Sequence, residues 1–188
     1  DPTNVLKYPH IAMTGPAQRG YVASASSLYL SGGEAIFPAW EAFDRNTSIY
    51  TRWASENAQN YNEGEGSFLY SGNKNLGTNN GGSGTPNGEW LMIEMPHKLK
   101  LQSTKLIANG NALEVPDKFI IYGSNDLTGA WSVVDNTYET TSAAIPYGET
   151  GKTWTVSTSA SPVAYKYFGL VVRNTTGSTY ITTVNEWE

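Results

Sequence analysis

Apolar and polar positions alternate at period two through most of the chain, and helical periodicity is almost absent. Residues 20–30 (GYVASASSLYL) predict a strand with Tyr21, Ala23 and Ala25 on one face. Residues 89–95 (EWLMIEM) predict a second, in which Trp90, Met92 and Glu94 oppose Leu91, Ile93 and Met95. Residues 99–108 change phase near Gln102-Ser103, which predicts a bulge or a break. Residues 118–123, 131–134, 152–157, 165–173 and 180–187 complete about eight strands, punctuated by Gly, Pro, Asn and Asp. Eight short strands predict an all-β antiparallel sandwich or jelly roll. Residues 1–7 read as a lead-in, and residues 8–188 as one domain.

One stretch breaks the alternation. Residues 56–88 are rich in Gly and Asn and carry little periodicity. A loop this long inside a compact domain is uncommon and tends to be functional or disordered. Tyr61, Phe68 and Tyr70 mark its first half as packed or ligand-facing, and residues 72–88 read as a mobile or turn-rich return.

Composition narrows the classes of function. The 188 residues carry 12 Lys+Arg against 17 Asp+Glu, a net charge of −5. That balance argues against nucleic acid, whose phosphates need clustered cations, and weakens any case for an anionic membrane. With no Cys there is no disulfide framework or thiolate site, and with two His, His10 and His97, little material for a His-based centre. Charged residues are only 15%, while there are 12 Tyr and 6 Trp among many Asn, Ser and Thr. That mixture suits a β-rich extracellular domain, with polar groups that hydrogen-bond hydroxyls and aromatic faces that stack on apolar rings. No apolar run is long enough for a membrane helix. No signal peptide is visible, and the missing initiator Met suggests a piece of a longer protein.

The densest chemistry lies in residues 41–53, EAFDRNTSIYTRW. Asp44, Asn46 and Thr51 place oxygen donors along a short polar loop, as Ca²⁺ requires, although Asp-x-Asn is equally at home in an Asx turn. Gly81-Gly82-Ser83-Gly84 lacks the Lys and the strand-to-helix context of a phosphate loop, which excludes nucleotide binding on that motif.

Here the sequence resembles a family. Ala42-Phe43-Asp44 with Thr51-Arg52-Trp53 is similar to the opening signature of discoidin domains, also called coagulation factor 5/8 C-type domains. That family includes the family 32 carbohydrate-binding modules and the fucolectins. Residues 89–95, residues 116–126 with Trp131, and residues 167–172 with residues 184–187 resemble three further family motifs in the same order. The lead-in at residues 8–27 resembles the family's opening, so the likeness covers residues 8–187. It implies a jelly-roll sandwich of the galactose-binding-domain type with one structural Ca²⁺. The ligands it implies are the Asp44 and Glu186 carboxylates, Thr51, and the carbonyls of Glu41, Asn46 and Asn185. Such an ion would tie the last strand to the first loop. Two departures stand out: the family's Gly after the Asp is Arg45, and the Asp44-to-Thr51 spacing is two residues longer than the tightest pattern, which makes Ser48 an alternative to Thr51.

The resemblance also implies a glycan site among the loops at one end of the sandwich. The positions there are Ser55, Glu56 and Asn57 after the Thr-x-Trp triplet, and Asn109, Asn111 and Glu114 in the second loop. The family's sugar-binding His and Arg pair are missing from those positions. Tyr29, Tyr61 and Tyr70 are candidate stacking surfaces. Arg52 reads as a structural salt-bridge residue. The reading that follows is a non-catalytic, lectin-like module of a larger secreted, cell-surface or virion-surface protein, with other domains of that parent chain and a glycan or polysaccharide as partners. The alternatives are a protein-binding or structural sandwich, a glycan-cleaving enzyme using Glu56, Glu63, Glu65 or Glu114, and a phospholipid-binding discoidin domain.

Overall fold

The computed structural model describes residues 6–64, 67–156, 163–178 and 180–188. In chain order the strands are β1 (Ala17–Gln18), β2 (Tyr21–Ala25), β3 (Tyr29–Ser31) and β4 (Glu34–Phe37). A 3₁₀ turn, Ala39–Phe43, leads to β5 (Trp53–Ala54), β6 (Tyr61–Gly64), β7 (Ser67–Tyr70) and a single helical turn α1 (Leu76–Asn79). Then come β8 (Glu89–Leu99), β9 (Ser103–Ala108), β10 (Pro116–Ser124), β11 (Ser132–Asp135) and β12 (Gly148–Thr155). The last elements are β13 (Tyr165–Thr175), β14 (Thr183–Val184) and β15 (Glu186–Trp187).

Every strand pairing is antiparallel. The large sheet runs β1-β2-β8-β13-β10-β11, and the β6–β7 hairpin joins it through β13. A smaller sheet, β12-β9-β15, faces it, flanked by the β14-β5 and β3-β4 pairs. The architecture is the all-β sandwich expected from the alternation.

The period of two places the core. Leu91, Ile93 and Met95 of β8, Phe119 and Ile121 of β10, and Phe168, Leu170 and Val172 of β13 point between the sheets. They meet Leu106, Trp154, Trp187, Trp53 and Phe43 from the other side. The phase change in residues 99–108 is a break: Leu99 ends β8, and β9 starts at Ser103.

The opposite face of the large sheet is also covered. Trp90, Met92, Ile120, Tyr122 and Val171 form a second cluster with Leu76 and Trp131. Leu76 comes from α1, inside the stretch read as a mobile or turn-rich return; it is turn-rich, and packed rather than loose. Asn75 caps α1 by accepting from the Thr78 N–H at 3.0 Å, and the Trp90 indole donates to Asn79 at 3.1 Å. Gly169 makes the seat, because a Cβ there would collide with the Leu76 methyl. Burying one leucine side chain contributes about 1.5–3 kcal/mol, enough to hold a short polar segment in place.

Candidate functional site

The loop after the 3₁₀ turn is knit by its own side chains. The Asn46 N–H donates to Asp44 Oδ1 at 2.8 Å, the Ser48 N–H to Asn46 Oδ1 at 3.0 Å, and the Thr51 hydroxyl to the Asn46 carbonyl at 3.2 Å. Arg45 has φ of +60°, the left-handed region glycine favours, which accounts for Gly in the motif it resembles. Its guanidinium donates to the Pro9 carbonyl at 2.8 Å. Asn185 ties this loop to the chain's end: its amide donates to the Ser48 and Thr51 carbonyls at 2.9 and 3.0 Å, and its Oδ1 accepts from the Asn109 N–H at 2.5 Å.

Glu186 is 1% exposed, and neither carboxylate oxygen has a hydrogen-bond partner among the described residues. Burial, and next the charge of Asp44, push its carboxyl up to about 9; the backbone N–H of Arg45 faces it and offsets part of the rise. Asp44 is itself raised by burial, offset by its bond from Asn46. A buried carboxyl without donors, beside a second carboxylate, costs several kcal/mol unless a proton or a cation balances it. Hydrogen bonds thus join Asp44, Asn46, Thr51 and Asn185 around one loop, and the charge of Asp44 acts on Glu186. Glu41 differs: its carboxylate accepts from the Arg52 N–H at 3.1 Å, which leaves its carbonyl for the role expected of it. The Ser48 hydroxyl is engaged by the Tyr50 N–H at 3.3 Å. Among the described residues no group of three or more His, Cys, Asp or Glu side chains gathers around one point. An ion here would rest on two carboxylates and neutral oxygens.

Beside this loop lies a second cluster, centred on Arg52. Its guanidinium carbon stands 4.0 Å over the Phe37 ring, and Phe37 packs against Tyr29 with ring centroids 5.9 Å apart. Both rings come from the β3–β4 hairpin, which Gly32 and Gly33 turn with positive φ. On its other side Arg52 abuts Gly110, where a Cβ would come within 2.8 Å of Arg52 Cδ. One Nη donates to the Ile49 carbonyl, while Nε is buried without a partner. Burial lowers the guanidinium's basicity, and Glu114, Glu41, Tyr147 and Tyr29, in that order, oppose the loss. Glu114 is half-buried and raised by burial, with Arg52 as the main offset. Its Oε1 accepts from Asn111 at 3.2 Å, and its Oε2 is buried and unbonded. The arrangement offers a clamped donor, an acceptor and two ring faces on one side of the sandwich.

Of the expected sugar contacts, Tyr29, Asn111 and Glu114 share this cluster. Glu56 and Asn57 lie one loop away: the Glu56 N–H donates to Ser27 Oγ at 2.9 Å, and Asn57 is exposed. Four expectations are corrected by burial. Ser55 is buried and accepts from the Thr182 N–H at 3.1 Å, and Asn109 is buried with its amide on the Thr47 carbonyl at 3.0 Å. Tyr61 and Tyr70 are a facing pair in the β6–β7 hairpin, ring centroids 5.3 Å apart and both buried. Arg52, read from the sequence as a salt-bridge residue, has no carboxylate within 4.0 Å of its guanidinium among the described residues; its backbone N–H donates to Glu41 instead.

Tyr70 has another task. Glu89, 0% exposed at the start of β8, accepts from the hydroxyls of Ser26 and Ser27, from the Asn60 amide at 3.1 Å and from the Tyr70 hydroxyl at 3.4 Å. This anchor fastens the residue 60–70 segment to the sheet. Glu65 lies outside the described residues.

No protein-family model matches the sequence, and no curated protein sequence matches it. Solved structures do resemble it. The family 32 carbohydrate-binding module of Clostridium perfringens NanJ, in complex with galactose, is 18% identical; the match covers 89% of this chain and 91% of that one, with a TM-score of 0.53. Chitosan-binding module 1 of a chitosanase/glucanase from Paenibacillus sp. IK-5 is 20% identical over 90% and 93%, with a TM-score of 0.53. A fucolectin from striped bass (Morone saxatilis) serum is 16% identical over 90% of this chain and 46% of that one, with a TM-score of 0.54. The chain thus has the antiparallel sandwich fold that these carbohydrate-binding modules and the fucolectin share, the fold of the family its motifs resemble.

Proposed function

We propose that the chain is a non-catalytic carbohydrate-binding module with a structural Ca²⁺ held by Asp44 and Glu186, and a shallow glycan surface on Arg52, Glu114, Asn111, Tyr29 and Phe37. The observation that carries the glycan reading is the Arg52 guanidinium, held over the Phe37 ring and against Gly110 with Glu114 as its leading charged neighbour. Sugar hydroxyls take donors and acceptors together, and Arg52 and Glu114 supply one of each beside the Tyr29–Phe37 faces. Neighbours of the same fold are described in complex with galactose or as chitosan-binding, which supports this ligand class. The residue set also suits a hard cation, which takes six to eight oxygens from carboxylates, carbonyls and hydroxyls. The ion would neutralise the two facing carboxylates and brace the loop that precedes Arg52.

The carboxylates near this surface serve local structure. Glu56 is 3.5 Å from Lys74, Glu114 takes the Asn111 amide, and Glu41 takes a backbone N–H, which fits binding better than acid–base chemistry. So small a surface gives weak affinity, and linking several copies in a secreted or surface-exposed parent would supply avidity. A glycan array probed with and without chelator tests the reading. Binding to a discrete set of mono- or oligosaccharides, lost in Arg52→Ala, supports it; no glycan bound in calcium overturns it. A lipid- or protein-binding sandwich is the second reading. The exposed Leu30 and Ile36 on the β3–β4 hairpin favour it, while Glu34 beside them disfavours an anionic surface.

A further inference from the structure

A cavity of about 420 Å³ opens between the two sheets where β8 ends and β9 begins, away from the Arg52 cluster. Its walls include Ile93, Met95, Phe168, Phe43 and Trp187. None of the residues that carry a buried, unpaired polar atom lines it. Two of the polar groups inside are paired with each other or with the backbone: the Trp187 indole donates to Thr104 Oγ1 at 2.8 Å, and that hydroxyl donates to the Glu188 carbonyl at 2.9 Å. Its rim is basic. Lys7, Lys100 and Lys105 line it against a single carboxylate, Glu188, in a chain of net charge −5. Glu188 pairs with Lys7 at 2.7 Å, and among the described residues Lys100 and Lys105 have no ion-pair partner.

We propose that this cavity binds one long-chain carboxylate as a monomer, its alkyl chain against Ile93, Met95 and Phe168 and its head group at Lys100 and Lys105. The volume falls in the range of about 300–1,000 Å³ that small-molecule sites occupy, and far exceeds the roughly 150 Å³ that suffices for benzene. Charge complementarity at the rim selects the anion, and the apolar walls select the tail. The site is independent of the glycan surface.

The test is calorimetric titration of the whole chain with octanoate, decanoate and dodecanoate below their micelle concentrations. Dodecanoate should bind one to one, with affinity rising about fourfold per added methylene. Lys100→Glu, at an exposed position, should weaken it several-fold without changing the melting temperature, and dodecanol should bind more weakly than dodecanoate. Met95→Trp should narrow the cavity and weaken dodecanoate more than octanoate; should it fail to fold, the Lys100 variant and the chain-length series still decide. No saturable binding, no dependence on chain length, or a Lys100→Glu protein that binds as well as the original would each overturn the proposal. So would binding that appears only after residues 1–5 are deleted, self-association of the free chain through this face, or binding to phosphatidylglycerol vesicles without binding to monomeric dodecanoate.

Discussion

Glu89 and Glu186 are equally buried and lie on opposite sheets of the sandwich, yet their surroundings have nothing in common. Around Glu89 stand Ser26, Ser27, Asn60 and Tyr70, all donating. Around Glu186 no side chain donates among the described residues, only the Arg45 backbone N–H faces it, and the charge that raises its carboxyl is another carboxylate, Asp44. Burial alone therefore says little about a glutamate's role; its inventory of partners says more. Glu89 is complete in the protein as folded, and works as a rivet between a long insertion and the main sheet. Glu186, on our proposal, is completed by a cation.

The comparison can be broken by replacing both residues with leucine in the presence of chelator. Glu89→Leu strands four donors and should cost roughly 3 kcal/mol in urea unfolding. Glu186→Leu removes a carboxyl that has no partner, and should leave the chelated protein as stable as before, or more so. Equal losses at both positions would end the distinction.

At the neighbouring surface the expected effects are smaller. Arg52→Ala should lower glycan affinity about tenfold, the worth of one charge-assisted hydrogen bond, with thermal stability nearly unchanged. Gly110→Ala should lower it by less, because the added methyl displaces the guanidinium without removing it. Isothermal titration with the best array ligand measures both.

The pH response sharpens the contrast further. Burial raises both carboxyls above their usual 4.5, Glu186 to about 9. Above about pH 4.5 the native chain then holds protons that the unfolded chain releases, so the ion-free protein should lose stability as pH rises toward 9. Calcium should remove the Glu186 share of that slope and leave the Glu89 share. Urea unfolding at several pH values, with and without calcium, reads both.

The layers of the fold were legible. Leu91, Ile93 and Met95 alternate cleanly, and the equally apolar Trp90 and Met92 announce a sheet covered on both faces. What covers it was not legible, because Leu76 stands alone among Asn and Gly with no periodicity to mark it. The β3–β4 hairpin carried a turn signal in Gly32-Gly33, but its strands read as the continuation of β2. Tyr61 and Tyr70 looked like ligand platforms because a sequence does not show that Glu89, or the facing ring, already claims them. Arg52 hid for the opposite reason: Phe37, Gly110 and Glu114, which give it meaning, come from distant segments. Pattern shows which face a residue takes; tertiary partners decide whether its polar atoms are spent.

Calcium-dependent thermal unfolding at neutral pH tests the central claim most directly. Chelated protein is compared with protein in a hundredfold excess of calcium over its dissociation constant, alongside Glu186→Leu. Linkage predicts about 2.7 kcal/mol of stabilisation, a rise of roughly 5–10 °C for a chain of this size, with no rise in the variant. Identical melting with and without calcium, or a variant that responds as the original does, would contradict the account.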